Sequence, residues 1–108
     1  SSIVAVSNYA SLGADKGQIA YGASKAAMDN AMPAIAKEIY SKGIRINSIR
    51  PAVVQSDKEL SQRERELVAM MQTGAIDPEI LAKQIAFLLS ESSSGVYGRH
   101  FYVRGYLV

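Results

Sequence analysis

Tyr21 and Lys25 stand four residues apart near the start of "GQIAYGASKAAMDNAMPAIAKE", Gly17 to Glu38. In a helix that spacing places the two side chains one turn apart on the same face. A phenol with an ordinary pKa of about 10 is a poor proton donor near neutrality, and a cation within ~4–6 Å stabilises its phenolate. The pair therefore suits general acid–base work on an oxygen atom. Alone it is also a common coincidence, equally explained by a surface tyrosine beside a solvated lysine. The elements that would position the two groups have to decide between these readings.

Ile3 to Ser7, "IVAVS", is a short valine-rich run that predicts a strand buried on both faces, followed by a turn region from Asn8 to Gly17. From about Gln18 to Lys42, Ile19, Ala23, Ala27, Ala31, Ala34, Ile35 and Ile39 recur at helical spacing, with Pro33 as an internal defect and Gly43 as a left-handed stop. "IRINSI", Ile44 to Ile49, reads as a second strand ended by Arg50-Pro51. Ser56 to Gln72 predicts a charged helix with Leu60, Leu67, Val68 and Met71 on an apolar side. A further helix begins with Asp77 as N-cap and Pro78 at its first position, and turns Leu81, Ile85, Leu88 and Leu89 inward. Arg99 to Val103, "RHFYV", is a third strand. Strand, helix, strand, two helices, strand predicts an α/β fold with a parallel sheet and helical crossovers, in which ligands bind outside the carboxyl ends of the strands. The Tyr21–Lys25 pair falls at that end.

The composition narrows the alternatives. The 108 residues are 48% hydrophobic, enough for one domain or one piece of a larger domain. The 12 basic and 10 acidic residues give a net charge of +2 without any block of like charge, so no nucleic-acid or membrane partner is expected. There is no cysteine, and His100 is the single histidine, so no metal centre is expected. His100 itself reads as a packing or surface residue. No apolar stretch reaches the ~18 residues of a membrane span, and the start has no basic flank of a signal peptide. These features predict a soluble, cytoplasmic protein.

"YGASKAAMDNAMPAIAKEIYSKGIRINSIRPAVVQSD", with the valine-rich strand before it and "PEILAKQIAFLLS" and "GRHFYVRG" after it, closely resembles the carboxyl-terminal half of the classical short-chain dehydrogenases/reductases. The resemblance runs from Ile3 to about Val103. It implies residues 1–108 as the carboxyl-terminal part of a Rossmann-type doubly wound parallel sheet, three strands with crossover helices, without the glycine-rich dinucleotide-binding half. It implies NAD or NADP as cofactor and a small carbonyl or alcohol as substrate. Tyr21 then matches the tyrosine that exchanges a proton with the substrate oxygen, and Lys25 the lysine that holds the cofactor ribose and stabilises the phenolate. Pro51, Ala52, Val54 and Ser56 match the loop against the nicotinamide, usually Pro-Gly with a threonine four residues after the glycine. The charged run "KELSQRERE" falls where the family has a lid over the substrate, which gives Leu67 and Met70 a candidate substrate role.

Two departures stand out. The family's serine lies thirteen residues before the tyrosine and here the count reaches Asn8, with Ser7 one place earlier; both are candidates for that position. Ala52 replaces the usual glycine and adds a methyl group near the ring site. Two functions are consistent with this pattern: an NAD(P)-dependent oxidoreductase, or a non-catalytic fragment that serves as an oligomerising or binding unit. The chain alone is expected to be inactive, to bind no dinucleotide, and to associate through its first strand or the alanine face of the Tyr21 helix. The partner would be another copy or a missing amino-terminal half.

Overall fold

A computed structural model describes residues 1–13, 16–54, 61–71 and 75–104; the side chains of 67–71 fall outside that description. Three parallel strands, β1 (Ser2–Val6), β2 (Arg45–Pro51) and β3 (His100–Val103), form a sheet of order β1-β2-β3. The register runs from Ser2↔Arg45 to Val6↔Ile49 and from Ser48↔His100 to Pro51↔Val103. Helix α1 (Ile19–Ile39) connects β1 to β2, and α2 (Gln62–Met71) and α3 (Pro78–Leu89) lie between β2 and β3. The fold class and the parallel order agree with the sequence.

Alternation along β2 sends Ile46, Ser48 and Arg50 to one face and Arg45, Asn47 and Ile49 to the other. α1 covers the first face, where Met32 and Ala36 are buried with Ile46 and Ile39 packs against them. The end of α3 and the turn after it cover the second. There Arg45 donates to the carbonyls of Ser90, Ser93 and Val96, and Asn47 Nδ2 donates to Val96 O at 3.0 Å. Helices therefore flank the sheet on both sides.

Several boundaries moved for identifiable reasons. β2 continues through Arg50 and Pro51 instead of ending before them. The amide of Ser48 donates to Arg99 O and that of Ala52 to Val103 O, so the even-numbered residues face β3 and the odd-numbered ones face β1. Pro51 thus lacks a donor only on the β1 side, where pairing has already ended at Ser7 N to Ile49 O, while its pairing with β3 continues. β1 is half-exposed, with Ile3 and Val6 both open, because it has a strand neighbour on one side only. Its position at the sheet edge is the one expected from sequence.

α1 turns a different side inward from the apolar stripe expected of it. Gly22, Asp29, Met32 and Ala36 are buried, whereas Ile19 is 84% exposed and Ala23, Ala27, Ala31, Ala34 and Ile35 are exposed with it. Alanine costs little on either side of a helix, so an alanine-rich stripe is a weak marker of the inward face. The helix ends as expected: a tighter turn over Tyr40–Lys42 leads to Gly43 at φ 74°, a left-handed conformation that suits glycine.

Of the helix expected over Ser56 to Gln72, α2 holds Gln62–Met71, and residues 55–60 and 72 lie outside the described residues. Ser61 caps it: the Glu64 amide donates to Ser61 Oγ at 3.1 Å and the Ser61 amide donates to Glu64 Oε1 at 2.9 Å. That reciprocal bonding holds the Glu64 carboxyl below its usual pKa. Asp77 caps α3 as expected, accepting from the Glu79 amide at 2.9 Å, and Pro78 occupies the first turn. Leu88 is buried and Leu81 and Ile85 are partly so, but Leu89 is 49% exposed, since the helix ends at that residue beyond the packed face.

Candidate active site

At the carboxyl end of the sheet, Ser7 and Asn8 leave β1, Tyr21 and Lys25 begin α1, and Pro51 to Val54 leave β2. All of them line one cleft of about 450 Å³. Tyr9, Gln18, Glu64 and Leu81 complete its wall, a contribution from four different segments that no local pattern announces. Ser56 lies outside the described residues, as do the side chains of Leu67 and Met70.

Tyr21 sits in the first turn of α1 and is 48% exposed. Lys25 Nζ lies 5.6 Å from the Tyr21 ring centroid and donates to Val6 O, the last carbonyl of β1, at 3.2 Å. The lysine is thus tied to the strand end and held beside the tyrosine, which a merely solvated lysine would not be. The loop after β2 is fixed at two points. The Ala52 amide donates to Val103 O at 3.0 Å, and the Ile76 amide donates to Val53 O at 2.7 Å, with Val54 bridging to Ile76. Ala52 is only 4% exposed, so its extra methyl is largely enclosed by the protein.

The structure separates the two candidates for the serine position. Ser7 is 2% exposed and its hydroxyl donates to Asp29 Oδ2 at 2.7 Å, so it is committed to the interior. Asn8 is half-buried and caps a 3-10 turn over Tyr9–Leu12, its Oδ1 accepting from the Ala10 amide at 3.0 Å. With the oxygen assigned to that amide, the Nδ2 donor is the end left out of the cap. The turn falls in the region expected from sequence, while the capping role of Asn8, a favoured N-cap residue, was not read from "SNYAS".

Behind the cleft lies a polar cluster that the sequence reading also missed. Asp29 is 3% exposed, and its Oδ2 accepts from Ser7, from Ser11 Oγ at 2.5 Å and from Arg50 Nε at 2.8 Å. Burial pushes the Asp29 carboxyl up, but the bonds from Ser11, Ser7 and Arg50 and the charge of Arg50 outweigh it and hold the pKa below its usual value. Its Oδ1 faces His100 Nδ1 at 3.9 Å, and His100 Nδ1 lies 2.6 Å from Ser48 Oγ, a hydrogen bond whose donor depends on the imidazole tautomer. Burial, then the charge of Arg50, push the His100 pKa below its ordinary value, with Asp29 pulling the other way. His100 is a partly buried member of this cluster.

A family model described as enoyl-(acyl carrier protein) reductase matches residues 1–105. The 3-oxoacyl-(acyl-carrier-protein) reductase FabG of Rickettsia felis is 30% identical over 107 residues, which are 95% of this chain and 44% of that protein. A short-chain type dehydrogenase/reductase from Mycobacterium ulcerans superposes with a TM-score of 0.84 at 30% identity, covering 94% of this chain and 39% of that one. An NADPH-bound short chain oxidoreductase from Pseudomonas aeruginosa, described as containing an atypical catalytic center, superposes with a TM-score of 0.81 at 26% identity, covering 95% and 44%. The chain therefore spans less than half the length of these relatives. Among the described residues no helix is long and apolar enough to cross a membrane. The match over residues 1–105, together with the parallel order of the strands, shows that this chain belongs to the short-chain dehydrogenase/reductase family, of which it represents the carboxyl-terminal part.

Proposed function

We propose that this chain is the substrate-side part of an NAD(P)-dependent oxidoreductase that interconverts a carbonyl and an alcohol, with the glycine-rich nucleotide-binding part supplied from outside these 108 residues. The observation that carries the reading is the convergence of Tyr21, Lys25, Asn8 and the Pro51–Val54 loop on one cleft at the carboxyl end of a parallel sheet. A phenol, an ammonium and an amide suit hydroxyl and carbonyl oxygens, so the donor set fits a ribose and a carbonyl substrate.

NAD(P)H, when bound, supplies the hydride. The chain's own residues handle the oxygen and its proton. Tyr21 gives its proton to the substrate oxygen as negative charge develops there, and takes one back in the oxidative direction. Lys25, anchored on Val6 O, holds the ribose hydroxyls and keeps a positive charge beside the phenol. Asn8 Nδ2 donates to the same substrate oxygen, an oxyanion-stabilising contact that needs no proton transfer from the amide. Pro51, Ala52 and Val54 form the wall for the nicotinamide, and the enclosed Ala52 methyl leaves that wall intact. The atypical centre described for the Pseudomonas relative is compatible with a member in which asparagine serves where serine is usual.

Tyr21→Phe in the complete protein tests the reading. Turnover of carbonyl substrates with NADH or NADPH should fall at least ~100-fold, the scale of general acid–base loss, with melting temperature unchanged. Full turnover in the variant would remove the assignment.

The exposed stripe of Ile19, Ala23, Ala27 and Ile35 together with the open edge of β1 supports a second element of the proposal. These surfaces are covered in the assembled protein, by the nucleotide-binding part or by another copy of the chain.

A further inference from the structure

We infer that Asp29 is a positioning residue for the site, a point at which its three pieces are tied together; the inference rests on the oxidoreductase reading above. One oxygen of this carboxylate, Oδ2, accepts from Ser7 Oγ, Ser11 Oγ and Arg50 Nε. Ser7 adjoins Asn8, and Ser11 closes the turn that Asn8 caps through its amide bond to Asn8 O at 3.0 Å. Arg50 adjoins Pro51, where the loop of the cleft begins. Asp29 itself lies on α1, one turn beyond Lys25 and two beyond Tyr21. The helix, the loop and the strand end thus meet at one atom, through contacts between residues 18 to 22 positions apart.

An ionised carboxylate is the group that can do this. It only accepts, so three donors converge on it without conflict, and one of them carries the compensating charge. Asparagine would set its amide oxygen where Oδ2 stands, but it would lose the charge that Arg50 pairs with, weaken all three bonds and turn its N–H donors toward His100 Nδ1. The Asn8 turn would then be held mainly by the Ser7 amide on Ile49 O and by its own cap, with only weaker neutral bonds to α1 through the two serines. Small losses of alignment between Asn8 and Tyr21 would be felt in the rate, since ~1 Å of misplacement costs on the order of 100-fold.

The test is Asp29→Asn in the complete protein, with Ser11→Ala as the milder variant that leaves the carboxylate and two of its donors. For Asp29→Asn, kcat should fall ~10- to 100-fold while the KM for cofactor stays within about twofold, because Lys25 is anchored elsewhere. Ser11→Ala should lower kcat less, and it decides the matter if Asp29→Asn does not fold. Independently of activity, the amides of Ala10 and Ser11 should exchange with solvent faster in either variant while that of Met32 does not change. This second readout stands even if the wild type reduces no carbonyl, an outcome that would fail the oxidoreductase reading and leave the tether decided by exchange. Wild-type kcat in the variants with only a lowered melting temperature, or unchanged exchange at Ala10 and Ser11, would overturn the inference.

Discussion

The two arginines of β2 mark opposite ends of the sheet and meet different surroundings. Arg45, at the amino end, donates to the carbonyls of Ser90, Ser93 and Val96 and to the hydroxyls of Ser2 and Ser93, with distances from 2.6 to 3.2 Å. All five acceptors are neutral, and together they bind β1, β2 and the segment after α3 into one end wall. Arg50, at the carboxyl end, spends its Nε on Asp29, a carboxylate already shared with two serines. Among the described residues, two buried side-chain atoms without a hydrogen-bond partner, Asp29 Oδ1 and Tyr9 Oη, lie at this second end. At the amino end the arginine is met by neutral acceptors, beside a cleft lined by Ser2, Tyr40 and Glu91. At the carboxyl end the arginine meets a carboxylate in a cluster with His100, and the tie among the surrounding segments falls on that carboxylate.

The largest expected effect on stability comes from breaking the Arg45 end. Arg45→Met should lower unfolding free energy by about 2–3 kcal/mol, because it strips donors from several carbonyls at once. The kcat of the folded fraction should stay at the wild-type value. Denaturant titration and steady-state kinetics on the same preparation check both halves, and a large kcat loss would mean that the two ends are not independent.

Acid sharpens the same contrast. The His100 pKa is depressed in the folded chain, so the stability it contributes is complete above its unfolded value of about 6.5 and declines as pH falls below it. Asp29 is also depressed, and its contribution is complete above about 3.8 and is lost as pH falls further. Both steps belong to the carboxyl end, since Arg45 has only neutral partners among its described bonds. Unfolding free energy should therefore drop in two stages as pH falls from 7 to 3. His100→Gln should remove the upper stage, and a His100→Gln protein with the same upper stage would contradict the assignment.

How legible each end was in the sequence follows from the range of its contacts. The Tyr21–Lys25 pair, the Asp77 cap and the Gly43 stop involve neighbours within one or two turns, and all three stand where the pattern put them. The Asp29 cluster joins residues 18 to 22 positions away, and its only local trace is a charged residue in a helix whose inward side was misjudged from its alanines. Ser61 and Glu64 form a capping box whose spacing was visible but passed unread inside a charged run. Asn8 and Ser7 were both singled out by their distance from Tyr21, and only the fold showed both on the cleft with the Ser7 hydroxyl bonded to Asp29.

The smallest effect calibrates the others. Asp77→Ala, at a cap remote from both arginines, should cost about 1 kcal/mol of stability by chemical denaturation and leave kcat unchanged. A loss several times larger would indicate that α3 transmits strain to the end walls.

The central claim is that the cleft around Tyr21 handles proton transfer at a carbonyl while hydride arrives from a nicotinamide. The most direct measurement supplies the complete protein with NAD(P)H deuterated at the transferring position and follows the label in the alcohol product by mass spectrometry. Wild type and Tyr21→Phe are compared across a panel of small carbonyls. The account predicts label on the carbinol carbon with wild type, and at least ~100-fold slower appearance with Tyr21→Phe. Label transferred equally fast by the variant, or no transfer by the wild type from either cofactor, would contradict it.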